Sequence, residues 1–191
     1  MGNVRVAEPT PETDILEGCR RGDPEAQRQL FERYRDRVFS IALRFLKGDE
    51  AAALDVTQDV FVKVFRAAPS FRGEAQLATW LYRVVANACT DEFRRRRRTR
   101  FFGDLPDAIH PTTSPDRTSD VRTDVAAAVE RLSPTMRLTV LLRYFEDLPY
   151  HEIARAMQCT AGTVASRLHR AHAILARELG HLTSAAADVE E

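Results

Sequence analysis

Six arginines stand within seven positions, Arg94 to Arg98 and Arg100, and no acidic residue lies among them. The chemistry open to such a block is charge neutralisation of a polyanion, because a guanidinium presents a rigid fork of donors that matches phosphate oxygens. Successive helical residues turn by about 100°, so Arg94 to Arg98 pass right round a helix and form no single face. One or two cations would suit a helix C-terminus through its macrodipole. Five bring like charges to i, i+3 and i, i+4, which is mildly destabilising. A merely solvated helix end is the bland alternative. A second candidate set lies in AGTVASRLHRAHAILAREL (161–179), where Val164, Leu168 and Ala171 would turn inward. Its outward positions Thr163, Ser166, Arg167, His169 and Arg170 carry hydroxyls and guanidiniums able to meet phosphates and the O6/N7 edge of guanine. A solvated helix face would carry the same residues.

A third set is acidic. Asp55 and Asp59 fall at i, i+4 on one outward face with Gln58 and Val62. Like charges so placed cost a few tenths of a kcal/mol, roughly, and a basic partner surface would relieve them. Lys63, four residues after Asp59, offers a purely internal remedy, and the two readings stand side by side. Phe71 and Arg72 in a loop, with Tyr82 and Asn87 off the neighbouring apolar stripe, could stack and clamp unpaired bases; a packing lid is the plainer role for Phe71. His169 and His172 at i, i+3 lack a third metal ligand. No Walker glycine loop, no GxSxG and no nucleophile–base pair occurs. No enzymatic activity, metal or cofactor is therefore expected.

Composition bounds the rest. The formal net charge is zero, 44% of residues are hydrophobic and 29% charged, so the arginine block is a local footprint in a balanced chain. Cys19, Cys89 and Cys159 are odd in number, widely spaced and outside any CxxC pattern, as expected of reduced thiols. No apolar run nears the roughly 18 residues of a membrane span, and the polar N-terminus does not read as a signal peptide. The expectation is a cytoplasmic protein without membrane insertion.

These residues need helices to hold them. Residues 1–23 read as an arm (1–12 without order) and a short helix from Asp14 to Arg21. Asp23-Pro24 is a cap followed by proline at the first helical position, and Leu30, Phe31, Tyr34, Val38, Ile41, Ala42 and Phe45 keep helical spacing to Gly48. A third helix covers 50–67 with Leu54, Phe61, Val64 and Phe65 inward. Leu77, Trp80, Leu81, Val84, Val85, Ala88 and Cys89 then form one stripe of a helix ending near 98. The aperiodic, proline-containing stretch 99–120 reads as a flexible linker. Val121, Val125, Ala128, Val129 and Leu132 restart the period; Ser133-Pro134 opens a helix through Leu138, Leu141, Leu142 and Phe145. Pro149 opens a short helix with Ile153, Ala154 and Met157 inward, and Gly180 is placed to cap the last helix. Residues 181–191 form an acidic tail. With no strand signal, the fold class is all-α: two small helical domains, 24–98 and 121–180, the second a helix-turn-helix.

In order and spacing these segments resemble the extracytoplasmic-function sigma factors of bacterial RNA polymerase, over about 24–180. LDVTQDVFVKVF (54–65) is similar to the family's polymerase-docking segment. SFRGEAQLATWLYRVVANACTDEFRR (70–95) is similar to the segment that melts and reads the −10 element. LSPTMRLTVLLRYFEDLPYHEIARAMQCTAGTVASRLHRAHAIL (132–175) is similar to the −35 reader. The resemblance implies that Asp55, Gln58, Asp59 and Val62 meet core polymerase. It implies that Phe71, Arg72, Arg83 and Asn87, with Arg94, Arg95, Arg96, Arg97 and Arg98, serve −10 and single-stranded DNA. Thr163, Ser166, Arg167, His169 and Arg170 would serve −35 DNA. Ala165 stands where many relatives carry Lys or Arg, and Leu77 where an aromatic is common. Implied partners are core RNA polymerase, promoter DNA and an anti-sigma factor. A helix-turn-helix regulator without polymerase docking, or an interaction protein with this fold and no promoter activity, are the alternatives from other classes.

Overall fold

The computed structural model describes residues 11–71, 77–102 and 117–187. Every regular element among them is helical: α1 (Pro11–Arg20), α2 (Pro24–Phe45), α3 (Glu50–Ala67), a 3-10 turn (Ala68–Ser70), α4 (Leu77–Phe102), α5 (Arg117–Arg131), α6 (Pro134–Tyr144), α7 (Tyr150–Ala156) and α8 (Ala161–Ala187).

In the N-terminal half α2, α3 and α4 pack together and α1 lies along α2. Leu30, Tyr34, Val38 and Ile41 of α2, Ala53, Val56, Val60 and Val64 of α3, and Trp80, Leu81, Val85 and Cys89 of α4 are buried. Local chemistry sets the helix starts. Asp23 accepts from the Glu25 amide at 2.9 Å with Pro24 behind it, and Asp49 Oδ1 accepts from the Ala52 amide at 3.0 Å. The approach of α1 to α2 requires glycine at 18, where a Cβ would lie 2.4 Å from the Cβ of Ala26. Glu12 anchors α1 by accepting from Arg33 at 2.9 Å and from the Tyr34 hydroxyl at 3.0 Å.

In the C-terminal half Leu138, Leu141 and Leu142 of α6, Ile153 of α7, and Val164, Leu168 and Ala171 of α8 form the core. The turn after α7 is closed by the Cys159 amide donating to the Ala154 carbonyl at 2.9 Å and the Gln158 amide to that of Arg155 at 3.4 Å. This is a Schellman arrangement, with Gln158 in the left-handed region at φ 50°. Thr160 caps α8, accepting from the Thr163 amide at 3.1 Å.

Several boundaries differ from the periodicity reading. α4 runs through Phe102 because arginine is a good helix former and nothing before Gly103 breaks the helix. α5 begins at Arg117, inside the stretch expected as linker, and α1 already includes Pro11 and Glu12. α8 passes through Gly180 to Ala187; one glycine costs about 1 kcal/mol in a helix, which the run to Ala187 tolerates. Leu54 is exposed, as are Phe31, Val125 and Phe145, all four expected inward. The core side of α3 is taken by Ala52 and Ala53, which let α2 approach closely and turn Leu54 out. The remaining linker positions 103–116, the arm 1–10, the loop 72–76 and residues 188–191 lie outside the described residues.

The two halves touch. Their buried apolar side chains run into one cluster, and Arg137, only 3% exposed, sits at the junction. Its guanidinium donates to the carbonyls of Val129 (3.2 Å), Leu132 (3.2 Å) and Glu130 at the end of α5, and of Phe45 (2.7 Å) at the end of α2. One side chain thus satisfies orphan carbonyls from two helix C-termini. Burial pushes its pKa down, opposed by the Glu130 charge, yet a guanidinium remains cationic. Replacing Arg137 with Met leaves these carbonyls without their donor. The expected cost is about 2–4 kcal/mol, read by circular dichroism as a melting midpoint lower by roughly 5–15 °C. Lys does not restore it, because one ammonium cannot span the fork; an unchanged midpoint in Arg137→Met would remove Arg137 from this role.

Candidate nucleic-acid interface

The acidic set lies where an outward face of α3 was expected. Asp55, Gln58, Asp59 and Val62 are all exposed. The internal remedy is realised: Lys63 Nζ lies 2.7 Å from Asp59 Oδ2. Both groups are about half exposed, and such a surface pair contributes little, so it leaves Asp59 open to a partner. Two apolar neighbours that periodicity placed inward lie outside. Leu54 is 55% exposed beside Asp55, and Phe31 is 37% exposed, edge-on to Phe61 with centroids 4.8 Å apart. In EAAALDVTQDVFVKVF apolar residues occupy too many positions to mark one inside. An exposed leucine flanked by carboxylates has the character of a contact surface.

The arginine block is sorted by its neighbours. Arg95 makes two bonds to Glu92, at 2.7 and 2.9 Å. Arg96 turns inward, donating to Glu92 at 2.7 Å and Asp49 at 2.8 Å. Asp49 therefore caps α3 with one oxygen and holds the arginine block with the other. The Glu92 side chain is only 10% exposed; burial raises its pKa, but the Arg95 and Arg96 guanidiniums outweigh it and hold the carboxyl below its usual range. Arg94, 3.8 Å from Asp91, and Arg97 and Arg98 are exposed. A groove of about 350 Å³ between α3 and α4, with Asp55, Asp59 and Asp91 facing Arg95 and Arg98, joins the acidic face to the arginine end.

Nearer its N-terminus α4 exposes Arg83 and Asn87. Phe71 is nearly buried and stacks on Trp80, centroids 4.7 Å apart and planes at 33°. The aromatic pair is thus assembled, with Phe71 as a lid on Trp80; Arg72 lies outside the described residues. Tyr82, off the apolar stripe, is nevertheless buried.

On α8 Ser166, His169 and Arg170 are exposed. Arg170 donates to the Ser166 carbonyl at 3.2 Å and approaches its hydroxyl at 3.4 Å, so the two share one outward patch. Thr163 and Arg167 are drawn towards the turn. The Thr163 hydroxyl lies 2.9 Å from that of the capping Thr160, and Arg167 reaches Cys159 Sγ at 3.6 Å. Among the described residues no cluster of three metal-ligating side chains occurs, and His172 instead meets the Tyr144 hydroxyl at 2.6 Å. No helix among them is long and apolar enough to cross a membrane.

Comparison with known proteins gives a consistent result. Residues 30–99 match Sigma-70 region 2, and residues 122–175 match Sigma-70, region 4. The RNA polymerase sigma-H factor of Pseudomonas aeruginosa is 33% identical over 180 residues, covering 86% of this chain and 92% of its own. The ECF RNA polymerase sigma-E factor of Escherichia coli K12 is 31% identical over 170 residues, covering 82% and 88%. The sigma factor RpoE of Bartonella quintana, solved with the anti-sigma factor NepR, superposes with a TM-score of 0.65 at 25% identity, over 80% of this chain and 96% of that one. CnrH, solved with the cytosolic domain of CnrY, shares the fold at a TM-score of 0.68 and 23% identity, over 89% and 97%.

The sorted arginines should behave differently on mutation. Arg96→Ala strands the largely buried Glu92 with one partner and should cost about 1–2 kcal/mol. Arg94→Ala and Arg98→Ala should stay within roughly 0.5 kcal/mol of wild type. A carboxyl with a depressed folded pKa contributes stability above its unfolded pKa and loses it as pH falls through the folded value. The gap between wild type and Arg96→Ala should therefore close in acid. Thermal melts at neutral and acid pH decide it, and a gap that persists below the carboxylate range would contradict the assignment.

Proposed function

This chain belongs to the extracytoplasmic-function branch of the sigma-70 family, and from that premise we propose how its faces divide the work. It is a transcription initiation factor that binds core RNA polymerase and with it selects promoter DNA. Residues 24–98 take core docking and the −10 element, and residues 121–180 take the −35 element. The observation that carries this division is the exposed α3 face, in which Leu54, Asp55, Gln58, Asp59 and Val62 stand together on the domain that lacks the helix-turn-helix. A simple DNA-binding regulator has no use for it.

On α4, Arg94, Arg97 and Arg98 hold promoter phosphates, which supplies affinity without sequence information. Arg95 and Arg96 chiefly orient that end through Glu92 and Asp49. Arg83 and Asn87, with Phe71 and the unplaced Arg72, take an unpaired base and so trap the melted state. On α8, Arg170 and Ser166 read duplex base edges with His169 beside them, while Thr163 and Arg167 brace the turn. Ala165 offers no side chain for a further phosphate or base contact. Bond making is left to the polymerase, with which the chain acts in the cytoplasm. One solved relative is in complex with an anti-sigma factor, and a separate protein of that kind is the regulator this reading expects. Run-off transcription with bacterial core polymerase tests it: core-dependent initiation supports the reading, and DNA binding without initiation favours a regulator.

Two sets of variants separate the faces. Asp55→Ala with Asp59→Ala should weaken core binding in a titration while full-length protein keeps its affinity for duplex −35 DNA; undiminished core affinity would reject the docking role. Neutralising Arg94, Arg97 and Arg98 together should weaken binding on all promoters and flatten the salt dependence by about 0.9 log–log units per lost duplex contact, or 0.7 on single strands. Arg170→Ala should instead cost roughly 1–3 kcal/mol at the preferred −35 base pair and much less on promoters lacking it. An equal loss on every promoter would make Arg170 a phosphate contact.

A further inference from the structure

α1 is 10 residues long, too short to hold its place by helix propensity alone, and three devices fix it. At its start Glu12 accepts from the Arg33 guanidinium at 2.9 Å and from the Tyr34 hydroxyl at 3.0 Å. Burial first and the Glu12 charge second push the Tyr34 phenol up to about 12, so it stays a donor to Glu12 through the neutral range. Further along, Gly18 lies against Ala26 of α2 with no room for a Cβ. At the end of α1 the Asp23 amide donates to the Gly18 carbonyl at 3.0 Å and the Gly22 amide to that of Cys19 at 3.1 Å. This is a Schellman closure with Gly22 in the left-handed region at φ 75°, and Asp23 then caps α2 with its side chain. One residue thus ends α1 and starts α2. The helix held in this way packs on the 3-10 turn Ala68–Ser70. Ala68 is fully buried, and the Phe71 amide donates to its carbonyl at 3.1 Å. That bond sets where Phe71 leaves the turn to lie on Trp80.

We propose that α1 is the positioning element of the base-capture site: latched by Glu12 and seated through Gly18, it backs the turn that presents Phe71 to Trp80. The proposal rests on the assignment of Phe71 to an unpaired base made above. Two features give α1 this role. The first is the weakness of what it backs. A turn of three residues has no apolar stripe of its own, and its place depends on what lies behind it. α3 runs straight into this turn, so its contacts there are those of chain neighbours; α1 comes from elsewhere in the chain. The second feature is how narrowly α1 is placed. A Cβ at Gly18 would lie 2.4 Å from that of Ala26, whereas the next nearest atoms, of Asp23, stand at 3.7 and 3.8 Å. One contact therefore sets the spacing of α1 from α2. A binding group keeps its geometry when the shell behind it is itself locked, and the Glu12 bonds, the Gly18 contact and the Schellman turn are such locks.

The test uses the full-length chain, free for fluorescence and assembled with core polymerase for binding to a −10 non-template oligonucleotide from a promoter the holoenzyme transcribes. Trp80 is the chain's only tryptophan, so its emission reports the Phe71 stack directly. Two variants displace α1: Gly18→Ala pushes it off α2, and Glu12→Ala releases its latch. Both should shift Trp80 emission and lower oligonucleotide affinity by about threefold or more, yet less than Phe71→Ala, which removes the ring and its stacking altogether. The holoenzyme's affinity for duplex −35 DNA should hold. Two further measurements separate positioning from a general loss of structure. Ala26→Gly added to Gly18→Ala restores the space, and should return emission and affinity to the level of Ala26→Gly alone. In a Phe71→Ala background Glu12→Ala should cost nothing further, because α1 acts through that ring. Wild-type emission or wild-type oligonucleotide affinity in both α1 variants, no rescue by Ala26→Gly, additive losses in the Phe71→Ala background, or an equal loss on duplex −35 DNA would each overturn the proposal. Undiminished affinity in Phe71→Ala itself would sink the assignment of this site to an unpaired base, and the proposal with it.

Discussion

The burial of the apolar stripe of α4 is the constraint on which the rest of this protein depends. Leu77, Trp80, Leu81 and Val85 are each at most 5% exposed, and burying side chains of this size is worth about 1.5–3 kcal/mol apiece. The like-charge pairs of the arginine block cost only a few tenths each, roughly. The stripe therefore fixes the helix, and the arginines follow wherever it leads. At 26 residues and 1.5 Å each the rod is about 39 Å long. Its sunken end carries the stack of Phe71 on Trp80, and its far end carries the charge. The helix rise sets the distance between the aromatic stack and the arginine end. Cys89, inside the stripe, has its thiol pushed up to about 12 by burial first and by the Glu92 charge second, a group spent on packing.

The same rod links two surfaces that sequence places far apart. Asp49 closes the N-terminus of α3 and also holds Arg96, so the helix carrying the acidic face and the helix carrying the arginine end share one carboxylate. The groove between them continues the contact, with Asp55 raising the pKa of Arg95 as a minor influence behind Glu92. The two helices are joined by a short, partly buried ion-pair network, the kind of contact that carries more energy than an exposed pair.

In the second half one guanidinium plays the organising part. Arg137 draws the carbonyl ends of α5 and α2 together, where their partial negative charges would otherwise meet without compensation. That bond crosses between the halves, so their contact uses groups that each half already needs for its own helix ends. Gln158 shows a smaller compromise: it occupies a left-handed turn position that glycine would take without strain, and the Schellman bonds hold it there.

The sequence by itself determined the helices, the cap at Asp23, the all-α class, the helix-turn-helix and, through two long motifs, the family. These are local or linear properties: a cap acts within three residues and a stripe repeats within one helix. It also marked the outward faces of α3 and α8. Only the tertiary structure decided that Leu54 lies outside and Thr79 and Tyr82 inside, that Arg96 and Arg167 turn inward while Arg94 and Arg170 do not, and that α8 continues past Gly180. An apolar stripe records one contact face, the one buried against near neighbours in the chain. A second face made of a threonine, a tyrosine and an alanine carries no periodic signal. Whether it is wet or buried depends on a helix arriving from more than 60 residues away, and that is settled by long-range packing.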